Sequence, residues 1–475
     1  MHCQPLQKFT DSILEIQKNL SSSLDFNALE LSLRGAFHEL VDHILLPTLQ
    51  ALLNDRKWFL VALKQLAAKK AMRFCGFRKT SVRIFTGRTL SISSPYFVKA
   101  KSKKRKRAPN GSGSHLGLEV LGFIERTSAN LASNVIQLAI LCPSFEIARK
   151  VLQEQGIVLD IKTVQRLCRK FGNGAMAHRG AISFGSESLD LKNITVLICM
   201  DGGRLRQRKR KQGRKPDSLK RQGYHTDWVE PKLLTIQFLD QKGKLLKNIP
   251  PIYDATLGNI ENFFDLLYQY LRELDLKNAD RIVFCADGAP CLWKRIPDLM
   301  HKLSISNWYE ALDYTHAKQN LHKIVEMLPR YLAKHQEELA EYWKDLMWDG
   351  EFDELRSTIE ILFRSPKKRK EALNKFDNYF VGNQYRMKYS LFKDQCLPTG
   401  SGAVESAIRR VINLRIKGAG IFWTAEMAEV MLFLRSQFLC GRWATVLNNF
   451  VCKSRNLLKQ FLPSRANDTC LTVAG

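Results

Sequence analysis

Two apolar runs, each followed directly by an aspartate and glycine, constrain the fold of this chain more than any other feature. Residues 194–200 form an apolar run rich in β-branched side chains, and Asp201 and two glycines follow it. Residues 281–286 form a second short run, and Asp287 and one glycine follow that. Runs of this length and composition predict buried strands. If both strands are central in one sheet, the two carboxylates lie close together at neighbouring strand ends.

Two converging carboxylates suit a divalent cation, because hard oxygen donors are the ligands that Mg²⁺ and Mn²⁺ prefer. The small glycines beside them are expected to leave room for a ligand. A two-metal site places its ions roughly 3.5–4 Å apart and needs a third acid. Our candidate is Glu405, near the start of a helix predicted over residues 401–417, with Arg409 and Asn413 along the same face. The core-facing residues of that helix are predicted to be Val404, Ile408, Val411 and Leu414.

The predicted metal ligands and catalytic acids are therefore Asp201, Asp287 and Glu405, holding two Mg²⁺ or Mn²⁺ ions. A single aspartate after a strand is normally a turn or helix-cap residue, and that alternative stays open for each acid taken alone. The presence of all three acids in this pattern indicates a metal site far more specifically than any one of them does.

The remaining patterns predict a multidomain α+β or α/β chain whose catalytic domain spans residues 190–445. Further strands are predicted within residues 225–239, 244–256 and 308–312, and an amphipathic helix over 259–274. The order of three strands, helix, strand, helix, strand is that of an RNase H-like core, a mixed sheet with flanking helices. Residues 327–395 are predicted to be an all-helical insertion, whose Trp343 and Trp348 either fill its core or stack on an unpaired base; we favour the core. Residues 425–438 are predicted as a core helix and 446–475 as a tail.

The N-terminal part of the chain is predicted to be helical over residues 1–72, with a pair of core helices within 36–53. Residues 73–128 then supply a β-hairpin around Gly87 and a linker. The linker holds a basic run, residues 99–107, and a flexible Gly/Ser stretch, 109–113. The basic run is either a solvated loop or a phosphate-binding segment, and the scarcity of nearby acids favours the second.

Residues 129–175 have the pattern of a helix-turn-helix. One helix is predicted over 132–141, a second begins after Ser144 and runs to Glu154, and a turn at Gly156 leads to a third, 161–171, capped by Asp160. The third helix would expose Lys162, Gln165, Arg166 and Lys170. Such a basic second helix is typical of DNA recognition, although an ordinary helical hairpin is the alternative. Residues 171–186 are predicted to be a hinge.

The charge of the chain indicates its partner. Seventy-four Lys and Arg against 46 Asp and Glu leave a formal charge of +28, which points to a polyanion, most commonly nucleic acid. A membrane surface is the rival, but such proteins usually show a long apolar span or a basic amphipathic helix. The first 21 residues lack a signal-peptide core, and the 11 cysteines show no C-x-x-C pair. We therefore expect a cytoplasmic, nucleoid-associated protein with reduced thiols and no zinc ribbon.

A dense basic segment follows Asp201. Eight of the twelve residues 204–215 are Lys or Arg. A hairpin here would grip a DNA backbone beside the metal site, whereas a targeting signal or solvated loop is the alternative.

Several motifs together resemble the DDE transposases of bacterial insertion sequences, in the subgroup with a helical insertion. They are Asp201-Gly-Gly-Arg-Leu-Arg, Ala286-Asp-Gly-Ala with Trp293, Asp313-Tyr-Thr-His, Gly400-Ser-Gly-Ala-Val-Glu, and Arg415-Ile-Lys-Gly-Ala-Gly with Trp423. The resemblance covers residues 130–445. It implies an RNase H-like core that uses Mg²⁺ to cut and join DNA at the ends of a mobile element, acting as a homodimer or larger assembly on double-stranded DNA.

Carried over by position, the resemblance makes the three acids the metal-binding triad, and Asp287 and Glu405 are separated by 118 positions, which leaves room for the insertion. It gives Asp313, His316 and Arg409 supporting roles; for His316 a helix-start histidine is the alternative. The residues predicted to contact DNA are Lys162, Gln165, Arg166, Arg204, Arg206, Arg208, Lys209, Arg210, Lys211, Arg415 and Lys417. The main alternative function is a transposase-derived DNA-binding protein that has lost cleavage; another RNase H-like nuclease and a DNA-binding regulator are further rivals.

Overall fold

The computed structural model describes residues 3–23, 25–99, 113–177, 179, 189–214, 217 and 222–461. Apart from Lys99, the predicted basic run 99–107 lies outside these residues. Half of the predicted hinge, residues 178 and 180–186, also lies outside them, and its residues 171–176 are helical, contrary to the prediction. The chain divides into two compact units. One unit combines residues 1–175 with 446–475, and the other comprises 176–445.

The first unit begins with three helices and a small antiparallel sheet. The helices are α1 (Cys3–Ser23), α2 (Phe26–Asn54) and α3 (Phe59–Lys69), and the strands are β1 (Met72–Arg83), β2 (Thr89–Lys99) and β3 (Gly113–Ser114), in the order β1-β2-β3. The hairpin predicted around Gly87 is confirmed, and this glycine has a φ of 81°. The predicted helix pair within 36–53 was wrong, because α2 continues through Pro47.

The predicted helical trio is present in the same unit. After α4 (Leu116–Val120) come α5 (Ala129–Leu141), α6 (Phe145–Glu154) and α7 (Ile161–Met176). Ser144 caps α6 by accepting from the Ile147 N–H at 3.1 Å, and Asp160 caps α7 by accepting from the Thr163 N–H at 2.6 Å. Gly156 between them has the predicted positive φ, 79°. These caps placed the helix starts correctly, whereas α7 runs five residues beyond its predicted end.

The second unit is a mixed α/β structure around a five-stranded sheet. Its strands are β4 (Thr195–Gly202), β5 (Leu205–Arg210), β6 (Tyr224–Val229), β7 (Lys232–Leu239), β8 (Ile252–Thr256), β9 (Arg281–Ala286) and β10 (Tyr309–Leu312). The sheet order is β10-β9-β4-β7-β8, while β5 and β6 form a separate two-stranded ribbon. Strands β10, β9 and β4 are parallel, and β7 is antiparallel to both β4 and β8.

Two strand predictions need correction. Residues 225–239 are not one strand, because the chain breaks at Pro231 into β6 and β7, which belong to different sheets. Proline has no N–H to donate to a ladder, so this break had a visible cause. Of residues 244–256, only the last five form a strand of the five-stranded sheet, β8.

Helices cover the sheet and fill the insertion. They are α8 (Ile260–Glu273), α9 (Pro290–Trp293), α10 (Ile296–Lys302), α11 (Tyr314–Val325), α12 (Gln336–Asp349), α13 (Phe352–Leu362), α14 (Pro366–Phe376), α15 (Tyr389–Asp394), α16 (Gly402–Ile408) and α17 (Ala425–Leu439). The last helix, α18 (Trp443–Lys459), belongs for most of its length to the first unit. The predicted helical insertion is therefore helical. Its Trp343 is fully buried and Trp348 stacks on Tyr389 with ring centroids 5.7 Å apart, so both tryptophans fill a core.

Each unit has its own apolar core. The sheet and the helical insertion of the second unit share one continuous cluster, which runs from Val196 in β4 to Phe376 in α14. The core of the first unit includes Leu458 from α18, so both ends of the chain contribute to it. No helix in the described ranges has an apolar stretch long enough to cross a bilayer.

Candidate active site

The two predicted aspartates lie at neighbouring ends of paired parallel strands. In the β4–β9 ladder, Met200 is the partner of Ala286, and Asp201 and Asp287 are the next residues on each strand. Each carboxylate is oriented by a backbone donor. Asp201 accepts from the Gly202 N–H at 2.6 Å, and Asp287 accepts from the Ala289 N–H at 3.0 Å. The sheet therefore brings two half-buried acids together at the carboxyl ends of two neighbouring strands.

The third acid, Glu405, approaches the same strand ends from a helix. It lies in the first turn of α16, which packs against β4 and β7, and its side chain is exposed. Burial raises the pKa of Asp201 to about 6, and the negative charges of Asp287 and Glu405 act in the same direction. The Gly202 N–H and the nearby His316 oppose this rise. Asp287 and Glu405 are thus close enough to influence the ionisation of Asp201.

The donor chemistry of these acids fits a hard divalent cation, since carboxylate oxygens are the ligands that Mg²⁺ and Mn²⁺ prefer. In the part of the chain that the structure describes, however, no three His, Cys, Asp or Glu side chains are arranged to hold one metal ion. Metal binding by these acids stays a prediction.

Asp313 connects the elements that carry two of the three acids, Asp287 and Glu405. Its N–H donates to the Ala286 carbonyl at 2.9 Å, one residue before Asp287. Its fully buried carboxylate accepts a hydrogen bond from Ser401 Oγ, just before α16. The next residue, Tyr314, donates its N–H to the Thr399 carbonyl at 2.9 Å. Asp313 therefore ties the end of β9 to the start of the helix that carries Glu405.

His316 completes this arrangement on the side of the aspartates. Its Nδ1 lies 3.0 Å from Asp313 Oδ2. That contact raises the pKa of His316 against the opposing effect of burial, and the charges of Asp201 and Asp287 raise it further. Although burial opposes ionisation of Asp313, hydrogen bonds from His316 and Ser401 lower the pKa of that carboxyl. An ionised Asp313 next to a half-buried histidine is the resulting state at neutral pH.

The glycines after the aspartates serve close packing, which corrects the expectation that they leave room for a ligand. A Cβ on Gly203 would collide with the Ile412 side chain, and a Cβ on Gly288 would lie 2.7 Å from Tyr379 Cε2. Ile412 follows Glu405 along the chain, so the absence of a side chain at position 203 lets the Glu405 segment approach β4.

The helix predicted over 401–417 is interrupted. After α16 the residues Arg409–Asn413 form a π-helical turn, in which the Leu414 N–H donates to the Arg409 carbonyl at 3.0 Å. The buried Arg435 donates through Nε to the Val411 carbonyl at 2.8 Å, and this bond helps to hold the wide turn. The wider turn shifts the core-facing positions. Leu414, predicted to face the core, is 62% exposed, whereas Ile416 is fully buried.

Most of the predicted DNA contacts lie on the surface, with one clear exception. The exposed residues are Lys162, Arg166, Arg204, Arg208, Lys209, Arg210, Lys211 and Lys417, and the partly exposed ones are Gln165 and Arg206. The prediction for Arg415 was wrong, because this residue is only 2% exposed and its guanidinium lies 5.1 Å from the centre of the Trp423 ring. Arg415 supports the fold of the loop after the π turn. Arg409, given a supporting role, is exposed.

The basic hairpin exists but pairs differently from the prediction. Its first strand, β5, pairs with β6. The hairpin therefore extends from residue 205 to residue 229, well beyond the predicted residues 204–215. Residues 215–216 and 218–221 of the connecting segment lie outside the described part of the chain. Lys209 forms an ion pair with Asp227 at 3.0 Å across the ribbon. Because both side chains are well exposed, the pair leaves the basic face open to solvent.

Three residues with a part in this site were missed. Ser401 is polar within a glycine-rich segment, and nothing local signals its bond to Asp313. Ile412 has only an ordinary apolar signal. Trp228 could have been noticed, because it lies in an otherwise polar strand and its neighbours on β6 predict a solvent-facing position; it is 57% exposed.

No protein-family model matches this sequence, and no curated protein matches it. Among solved structures, the chain is similar to one described as the Drosophila P element transposase strand transfer complex, with a TM-score of 0.31 and 10% sequence identity. The match covers 67% of this chain and 93% of that chain. A similarity this low does not establish a shared fold, so the site's own geometry has to carry any assignment of function.

Proposed function

We propose that this chain is a DDE-type DNA transposase with an RNase H-like catalytic unit, which binds the ends of a mobile element and cuts and joins DNA. The observation that carries the proposal is the placement of Asp201 and Asp287 at paired strand ends, with the helix of Glu405 packed against the same strand. The sheet order β10-β9-β4-β7-β8, with only β7 antiparallel to its neighbours, is the order expected of an RNase H-like core.

Asp201, Asp287 and Glu405 would hold Mg²⁺ or Mn²⁺ through their carboxylate oxygens. When bound, such ions lower the pKa of the attacking water or 3′-hydroxyl and stabilise the leaving oxygen. The protein's own contribution is placement. The Asp313–Ser401 hydrogen bond fixes the start of α16, and the packing of Ile412 against Gly203 holds the following turn against β4. Arg409, one turn after Glu405 and exposed, is placed to contact a phosphate.

The exposed Lys and Arg side chains support our proposal that the substrate is DNA. Arg204, three residues after Asp201, and Arg208, Lys209 and Arg210 on β5 are exposed, and we assign them the phosphates next to the cleaved bond. Lys162 and Arg166 on α7 would bind the element end in the manner of a recognition helix. Synapsis of two ends would require at least two copies of the chain. Mobile-element ends of the bacterial insertion-sequence kind are the substrate we propose.

The proposal is tested with purified full-length protein, a plasmid carrying the DNA that flanks the gene, and Mg²⁺ or Mn²⁺. We expect nicking at the flanking ends and products joined to target DNA. Asp287→Asn should abolish both while leaving DNA affinity within about twofold, because the amide removes a metal ligand and little volume. Asp298→Asn, at an exposed position on α10, is the matched control and should cleave like the wild type.

The same experiment separates the alternatives. Sequence-specific binding without any nicking by the wild type would replace the proposal with a DNA-binding protein that has lost cleavage. Nicking without joined products would indicate another RNase H-like nuclease. Unchanged cleavage by Asp287→Asn would remove Asp287 from the site.

A further inference from the structure

A groove lies where the basic ribbon meets the loop after the π turn. Its volume is about 480 Å³, and it is lined by Arg206, Trp228, Asn413, Lys417, Gly418 and Ala419. Two backbone hydrogen bonds join its walls: the Arg208 N–H donates to the Trp423 carbonyl at 2.8 Å, and the Trp423 N–H donates to the Arg206 carbonyl at 3.0 Å. The walls are therefore fixed relative to each other before anything binds.

One wall presents an aromatic face. Trp228 is 57% exposed, the highest exposure among the eight tryptophans of the chain. It is the cross-strand partner of Arg206, whose guanidinium lies 5.2 Å from the indole centre and 5.3 Å from the centre of the Phe422 ring. Exposing an indole is unfavourable in water, whereas a flat π ligand would bury it.

The charge of the groove selects an anionic ligand. Lys417 is exposed at its rim, and Arg206 Nη2 is held by the Gly418 carbonyl at 3.4 Å. The exposed Asn413 adds an amide that can both donate and accept hydrogen bonds. An aromatic platform, two cations and an amide match the base, the phosphate and the base edge of a nucleotide.

One lining residue of the groove, Asn413, lies at the end of the segment that carries Glu405. Asn413 lies two helical turns beyond Glu405 on the continuous segment formed by α16 and the π turn. A strand whose phosphate lies at the acids would therefore pass the groove within a few nucleotides. A volume of about 480 Å³ is in the range of small-ligand sites.

We propose that this groove binds one unpaired nucleotide of the DNA strand that is cut, with its base stacked on Trp228 and its phosphate bound by Lys417 and Arg206. The inference rests on the proposed function and makes it more specific, because it requires the DNA to be locally unpaired next to the cleavage site. Paired bases in a duplex offer no free face to the indole. Single-stranded nucleic acid is recognised in this way, by aromatic stacking together with cations along the backbone.

The test compares two DNA probes of equal charge in the absence of divalent cations, so that only binding is measured. One is a blunt duplex, and the other is a duplex of the same sequence in which a short thymidine stretch is left unpaired. Trp228→Ala should weaken binding of the unpaired probe by about 5- to 150-fold, the range for loss of one stacked base, and change binding of the blunt duplex less than twofold. Trp228→Phe should keep most of the affinity, and Trp58→Ala, at the next most exposed tryptophan, should change neither probe.

Each other outcome has a distinct meaning. Equal losses on both probes would make the groove a general backbone site and overturn the inference, and so would an unchanged affinity of Trp228→Ala for the unpaired probe. Both results leave the proposed function intact, because wild-type binding and cleavage are unaffected. Failure of the wild type to bind either probe would overturn both proposals.

Discussion

Asp313 and Ser401 are 88 residues apart in sequence and are joined by a hydrogen bond from the serine hydroxyl to a fully buried carboxylate. Between them lies the whole helical insertion. The same aspartate bonds through its backbone to the last residue of β9, so one residue sets the distance between the strand that carries Asp287 and the helix that carries Glu405. The placement of the third acid therefore depends on a contact outside the acids themselves.

Ser401→Ala should reduce DNA cleavage by about 10- to 100-fold while leaving DNA affinity unchanged. Removing a hydrogen bond to a charged group loses about 1.5–3 kcal/mol, and here the loss frees the start of α16, so that Glu405 is misplaced. Single-turnover cleavage and filter binding measure the two effects separately. Ser357→Ala, which removes an exposed helix-surface hydroxyl, is the control. Equal losses in binding and cleavage would show that Ser401 maintains the fold and does not position the acid.

Asp201→Asn should make the protein more stable above about pH 6 and equally stable near about pH 4. The pKa of Asp201 is raised to about 6 in the folded protein from an ordinary value of 3.8. Between these values the folded chain binds more protons than the unfolded chain, so the free energy of unfolding falls as pH rises. The amide should recover on the order of 2 kcal/mol at neutral pH. Thermal unfolding between about pH 4 and pH 8 measures this, and an Asp201→Asn protein less stable than wild type at pH 8 contradicts the assigned burial.

Mg²⁺ should raise the unfolding temperature of the wild type more than that of Asp201→Asn. A cation bound to the folded state alone stabilises it by mass action, and it also removes the repulsion among the three carboxylates. Titration with Mg²⁺ and with Ca²⁺, followed by thermal unfolding, measures the difference. Identical shifts for both proteins would place the stabilising ion away from Asp201.

Arg415→Gln and Lys417→Gln should have different consequences, although the two residues are only two positions apart in the sequence: the first should affect stability and the second DNA binding. Lys417 is exposed, so its loss should reduce the slope of log K against log salt by about 0.9, the value for one phosphate contact. Arg415 is buried against Trp423, so its loss should lower the unfolding temperature and leave the slope unchanged. DNA affinities measured across a salt series distinguish the two, and a reduced slope for Arg415→Gln would restore it as a DNA contact.

Arg179→Met should destabilise the second unit by about 3–5 kcal/mol. Arg179 lies 3.1 Å from Asp254 and 3.0 Å from Glu429, and Asp254 is fully buried. Burial raises the pKa of Asp254 and Arg179 lowers it, so loss of the arginine leaves a buried charge without its partner. The loss of stability should be larger at pH 8 than at pH 5. Without Arg179 the buried Asp254 carboxyl is protonated more readily at pH 5, which removes its unpaired charge. Urea unfolding at both pH values measures the loss of stability; adding Asp254→Asn should recover part of it.

The elements that could be predicted from sequence are those whose causes are local. The bounds of β9 follow from a short apolar run between polar residues, and the start of α7 follows from Asp160, whose side chain caps it. The adjacency of Asp201 and Asp287 followed from two such runs, because central parallel strands align their ends.

The features that could not be predicted depend on distant partners. The π turn after Glu405 is stabilised by Arg435, which lies 24 residues beyond Val411 and gives no local signal. The burial of Arg415 depends on Trp423 across a loop, and an arginine in a basic protein is normally exposed. The pairing of β5 with β6 was obscured because the hairpin strands are separated by a long polar segment.

The return of α18 to the first unit has a consequence for synthesis of the chain. Phe450 packs on Phe171 with ring centroids 5.1 Å apart, Val451 fills the space beside Gly122, and Leu458 is 3% exposed in the core formed by the N-terminal helices and strands. The ribosome must therefore complete residues 176–445 before the first unit has all of its core. A stop codon anywhere in residues 176–445 would remove part of the interior of the N-terminal region as well, so we expect such truncated products to be degraded.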